Sequence, residues 1–219
     1  EQNLIKESID SDFLINTEEI EDEFTNFKSK DFCYFLEHEK LDYISYPYEW
    51  GFQQLKDAAL HHLNFQIFLL ERNAILIDSS AFNIQFKNNK PIFIDVLTID
   101  KYVEGEYWKG HSQFLQQFLN PLLLRSLKGI SFNDWYKGNL DGIKTTELNS
   151  LLNLKDKLSF NVFFLYICPS SRFAAARFHH FPLTIDLVGD YFCRSLYFDI
   201  TSIYTPNISS SSGTPTQDR

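Results

Sequence analysis

Two aspartates and an asparagine, Asp78, Asn83 and Asp95, lie within one short run, LIDSSAFNIQFKNNKPIFID, at residues 76–95. These are the side chains that transfer of a phosphoryl group from ATP requires. One Asp orients the accepting hydroxyl, an Asn holds a metal ion, and a second Asp bridges metal and nucleotide phosphates. Asp78 and Asn83 have the D-x-x-x-x-N spacing of such a catalytic loop. The pattern assigns Asp78 as base or hydroxyl-orienting residue, Asn83 and Asp95 as Mg²⁺ ligands, and ATP with Mg²⁺ as the cofactors. Each residue also has a purely structural use. Asp78 could cap the turn at Ser79-Ser80, Asn83 could be a turn amide, and Asp95 could accept backbone donors after a strand.

Flanking elements would have to bring the three together. Over residues 50–72 the apolar positions Phe52, Leu55, Ala59, Leu63, Ile67 and Leu70 recur at intervals of three and four, predicting a long amphipathic helix closed by Asn73. His61 and His62 on it are neighbours pointing in different directions, which makes them surface or hydrogen-bonded groups rather than a metal pair. After the helix, two alternating runs at 83–86 and 91–95 enclose Lys87-Asn88-Asn89-Lys90, turn chemistry for a hairpin because Asn tolerates positive φ. Asn83 then begins one strand and Asp95 ends the other. Paired strands run about 5 Å apart, within reach of a shared Mg²⁺.

Downstream the pattern is helical. Phe114 and Phe118 mark a helix over 112–119, and Asn120-Pro121 reads as cap and first position of a second helix over 122–127. Ser131 is placed to cap a short turn holding Trp135 and Tyr136. A further helix over 146–154 follows the Asp141-Gly142 turn. Before the long helix, the acidic first stretch suggests Thr17 as the cap of a helix carrying Ile20, Phe24 and Phe27. Residues 41–48 read as a short strand or extended entry segment interrupted by Pro47.

The chain of 219 residues has 44% hydrophobic content and 22 Phe, enough for a core built from large rings. A net charge of -9, with no run of Lys or Arg, argues against a nucleic-acid partner. No apolar stretch has the length of a membrane span and no charged-then-apolar leader opens the chain, so a cytoplasmic location is expected. Cys33, Cys168 and Cys193 are too widely spaced for a zinc site or a disulfide framework. The lack of Met and the start at Glu1 point to a fragment or a processed N-terminus. The end of the chain carries the His179-His180 pair, unlike a metal motif, and then the low-complexity NISSSSGTPTQDR, whose composition predicts disorder.

The segments SYPYEWGFQQLKDAALHHL, LIDSSAFNIQFKNNKPIFIDV, and WKGHSQFLQQFLNPLLL followed by LDGI occur in one order and include the unusual string Tyr46-Pro47-Tyr48-Glu49-Trp50. Over residues 43–154 they resemble the N-terminal, kinase-like region of bacterial class I S-adenosylmethionine-dependent methyltransferases, nodulation-associated members included. The resemblance implies an α+β fold: a mainly helical, protein-kinase-like C-lobe with a metal-site hairpin, and a short or incomplete N-terminal lobe. It divides the chain into an acidic N-terminal helical segment or lobe remnant (1–42), the kinase-like domain (43–158) and an irregular, partly disordered tail (159–219).

It also implies that the methyltransferase domain, which would hold S-adenosylmethionine, lies further along the full-length protein. No G-x-G-x-x-G loop follows a strand here. Kinases place His or Tyr and then Arg before the catalytic Asp, where this chain has Leu76-Ile77. Val96-Leu97 stands where Phe-Gly usually follows the metal Asp. Neither a glycine-rich phosphate loop nor a Val-Ala-Ile-Lys strand precedes the long helix, so a nucleotide clamp would come from residues outside this chain. Two functions are carried forward. One is a kinase-like module taking nucleotide or another small-molecule ligand with Mg²⁺; the other is a non-catalytic substrate-binding or scaffolding module accompanying the methyltransferase.

Overall fold

The computed structural model of the chain describes residues 2–20, 35–103, 106 and 108–157. The expectations for the tail, the three cysteines and the second histidine pair lie outside these residues. The chain opens with helix α1 (Gln2–Asp10), closed by Asp12 at φ 59°. Thr17 does not cap a helix: it starts strand β1 (Thr17–Ile20), which pairs antiparallel with β2 (Phe35–His38). Its hydroxyl donates to the Ile15 carbonyl at 3.0 Å and meets His38 Nδ1 at 2.9 Å, so the capping oxygen is already engaged. Positions 24 and 27 of the expected helix fall outside the described residues. Between α1 and β1, Phe13 and Ile15 exchange backbone hydrogen bonds of 3.0 and 2.9 Å with Phe93.

Residues 41–46 form no ladder. They are extended and anchored by side chains: Gln85 grips the Ser45 backbone at both N–H and carbonyl, and buried Trp50 donates to Ser45 Oγ at 2.9 Å. Helix α2 (Phe52–Leu70) follows Gly51, whose N–H is taken by Gln54 Oε1, and stops where Asn73 adopts φ 58°. Its most buried seam differs from the apolar stripe read in the sequence. Leu55, Ala59, His62, Gln66 and Leu69 form it, while Phe52, Ile67 and Leu70 are only partly buried. Two polar residues thus occupy core positions, and both have partners at the site.

Strand β3 (Ala74–Leu76) pairs antiparallel with β6 (Ile99–Lys101), and between them β4 (Ile84–Lys87) and β5 (Lys90–Phe93) make the predicted hairpin. Asn88 and Asn89 form its two-residue loop with φ of 50° and 63°, both in the left-handed region that such turns require. Asn89→Ala is expected to cost about 1 kcal/mol because alanine gains nothing from that conformation. Asn89→Gly should be neutral or stabilising. The shift in urea midpoint of the two variants checks this.

Helix α3 (His111–Phe114), a π turn (Leu115–Leu119) and α4 (Asn120–Lys128) run on without a break. Asn120-Pro121 is therefore not a helix start. Asn120 is helical and buried, and its amide donates to the Ile143 carbonyl at 2.7 Å. Pro121 cannot donate to the carbonyl four residues back, and the buried Tyr136 hydroxyl donates to that Gln117 carbonyl at 3.3 Å instead. Burial pushes the Tyr136 phenol up, which keeps it a donor. Helices α5 (Asn133–Gly138), α6 (Thr145–Leu151) and α7 (Leu154–Lys157) complete the described chain. One hydrophobic core extends from Leu14 to Leu152, with the Phe93, Phe114 and Phe118 rings near its middle and α1 packed against it.

Candidate functional site

The candidate residues lie where the chain passes between two ladders. Ile77 N–H donates to the Thr98 carbonyl at 2.9 Å, extending the β3/β6 pairing by one residue. Ile94 N–H donates to the Asn83 carbonyl at 2.8 Å, extending the β4/β5 hairpin. Residues 78–82 and 95–97 are the two segments that connect the ladders. Asp78 therefore leaves one ladder, Asn83 enters the other, and Asp95 stands next to Asn83's backbone partner. The hairpin places Asn83 and Asp95 at one end of the ribbon, as the strand arithmetic required.

Both aspartates are partly buried, and each uses one oxygen as a turn cap: Asp78 Oδ1 accepts from Ser80 N at 2.7 Å and Asp95 Oδ1 from Leu97 N at 3.0 Å. The structural and chemical uses of these residues are thus not exclusive. The second oxygen of each carboxylate makes no hydrogen bond to a described residue. Asn83 has a side-chain nitrogen that is buried without a partner among the described residues. An unmet donor there can be satisfied by an incoming oxygen, and turning the amide over exchanges its nitrogen for an oxygen. Two carboxylate oxygens and an amide are hard oxygen donors, the set Mg²⁺ prefers. Among the described residues, no cluster of three or more His, Cys, Asp or Glu could hold a metal ion.

Between its ladder-paired ends, the 76–83 segment is held in shape by side chains. Gln66 Oε1 accepts from Leu76 N at 2.8 Å, and Trp108 Nε1 donates to the Leu76 carbonyl at 2.8 Å. From the α3–π turn, Gln113 accepts from Ser79 N at 2.9 Å and Gln117 from Ala81 N at 2.7 Å. On α2, His62 Nε2 lies 3.0 Å from Ser79 Oγ. His62 is fully buried, not on the surface, and burial, with a smaller contribution from His61, lowers its pKa to about 3. His61 is bonded to the Phe13 carbonyl at 3.0 Å, and burial holds its pKa down too.

The sequence reading missed these loop holders. A signal was present: His62 with Gln66, and Gln113 with Gln117, are each four apart on a helix otherwise turned to the core. An uncharged polar pair on a buried face must find partners there, and here the loop backbone supplies them.

No protein-family model matches the chain, and no solved structure matches it. The chain is similar to nodulation protein NoeA of Rhizobium meliloti (strain 1021), with 38% identity over 169 residues, covering 77% of this chain and 36% of that protein. The chain therefore spans about a third of the length of the curated relative it matches. The similarity agrees with the nodulation-associated part of the resemblance read from the sequence. Among the described residues, no helix is long and apolar enough to cross a membrane.

Proposed function

We propose that this segment, related in sequence to a nodulation protein, is a kinase-like module that binds ATP with Mg²⁺ and directs a phosphoryl group to a hydroxyl. The reading rests on one observation above the others. Where the chain passes between the two ladders, Asp78 and Asp95 each keep a carboxylate oxygen without a described partner, and the Asn83 side-chain nitrogen is buried without one. Chain order adds support: helix α2, strand β3, the loop with Asp78 and Asn83, the hairpin, then Asp95 follow the sequence of parts that kinase-type sites use.

Asn83 and Asp95 would hold the metal, which when bound neutralises charge on the phosphates. Asp78 orients the accepting hydroxyl and takes its proton. The capped oxygen fixes the carboxylate's angle and the open one does the work, which is how a turn aspartate can serve both purposes.

Calorimetric titration with ATP and Mg²⁺ tests this on the chain and on Asp95→Ala. The expected result is metal-dependent binding that Asp95→Ala abolishes; a folded chain, or a longer folded form of it, that binds no nucleotide would sink the proposal. The second reading is a non-catalytic substrate-binding or scaffolding module beside an S-adenosylmethionine-dependent methyltransferase. It is favoured by Leu76, which is buried in β3 where kinases carry catalytic-loop side chains, and by Leu97, a large apolar residue 80% exposed where the Gly of Phe-Gly is usual. Under either reading the methyl donor belongs to another part of the protein, so S-adenosylmethionine should not bind this chain alone.

A further inference from the structure

We infer that His62 is a positioning residue which, through Ser79, sets the carboxylate of Asp78; the functional half of this inference rests on the phosphotransfer reading above. Ser79 follows Asp78 directly, is fully buried, and is gripped twice. Its backbone N–H goes to Gln113 at 2.9 Å and its hydroxyl to His62 at 3.0 Å. Among the described residues, the Asp78 carboxylate has only its own turn bond to Ser80. Whatever fixes Ser79 therefore fixes the start of that turn.

His62 has little freedom to do otherwise. Its ring stands 5.6–5.8 Å from the rings of Phe93, Trp108, Phe114 and Phe118. A Cβ built on Gly110 would lie 2.1 Å from Ser79 Oγ, so Ser79 is confined on the side away from the helix as well. The other ring nitrogen, Nδ1, is buried with no hydrogen-bond partner among the described residues. A phenylalanine at position 62 would fill an aromatic cage of this kind without stranding a nitrogen. Imidazole adds one thing that phenyl cannot, the bond to Ser79.

Amide hydrogen exchange and Mg²⁺-ATP titration of the full chain, as wild type, His62→Phe, His62→Gln and Ser79→Ala, decide the matter. His62→Phe should leave the α2 amides protected while those of Ser79, Ser80 and Ala81 exchange about tenfold faster, the effect of losing one buried hydrogen bond. Nucleotide affinity should fall by about the same factor. His62→Gln, which can still reach a hydroxyl, should restore both, and Ser79→Ala should reproduce the loss. If His62→Phe fails to fold, Ser79→Ala removes only one oxygen and carries the decision. Unchanged loop exchange in the folded variants would overturn the inference. Absence of nucleotide binding in wild type would refute the phosphotransfer reading, while the exchange rates still report on His62.

Discussion

Gly142→Ala is expected to destabilise the fold by about 2–5 kcal/mol, combining a left-handed backbone with an overpacked contact. Gly142 has φ 87°, and a Cβ built there would stand 2.2 Å from the Gln116 carbonyl oxygen. That oxygen is in use. The π turn frees it from the helix, and it accepts from Ile143 N at 2.9 Å, while Asn120 holds the Ile143 carbonyl at 2.7 Å. An alanine at 142 would push this docked segment off the turn whose glutamines hold the site loop.

Gly129→Ala supplies the comparison. Its φ is 68°, but no described residue lies within 4 Å of an added Cβ, so only the backbone cost applies, about 1–2 kcal/mol. Thermal and urea unfolding of both variants should rank Gly142→Ala well below Gly129→Ala. Equal midpoints would mean that segment 139–145 is not docked as described.

Acid should weaken the protein in a window set by His62. Its pKa is about 3 in the fold, against an ordinary value of 6.5, so between those pH values the unfolded chain binds the extra proton. Stability is full above 6.5 and is lost as pH falls toward 3. From pH 7 to pH 5 this one group should cost about 2 kcal/mol. Burial depresses His61 and His111 in the same direction. Asp156, held down by its hydrogen bond to Lys128, acts near and below the ordinary carboxylate value of 3.8, at the acid end of this window, and leaves pH 5–7 to the histidines. Urea unfolding at pH 7 and pH 5 should show the loss in wild type and a clearly smaller one in His62→Phe. A pH-independent wild type would mean that the imidazole is not sealed in its cage.

The two variants also separate the site's supports. Gly142 secures the helical side that carries Gln113 and Gln117, and His62 secures the α2 side. The loop between them has few internal bonds of its own, chiefly the turn caps from Asp78 and Ser80. Its geometry is therefore imposed by the surrounding helices.

What the sequence by itself determined was local. Apolar spacing of three and four marks α2, two adjacent asparagines mark the hairpin loop, and D-x-x-x-x-N with a later Asp marks Asp78, Asn83 and Asp95 as candidates. Each signal acts over a turn or two of chain, where steric preference and side-chain period suffice. The tertiary structure decided the rest. Thr17 could serve a helix cap or a strand equally well, and pairing with a distant segment chose the strand. Asn120-Pro121 reads as a helix start until Tyr136 and Ile143 take up the carbonyls of the π turn. His62, Gln66, Gln113 and Gln117 look like interruptions of apolar faces. Only the fold shows that their partners are backbone groups of the 76–81 loop, because the cost of burying a polar atom depends on what long-range packing brings against it.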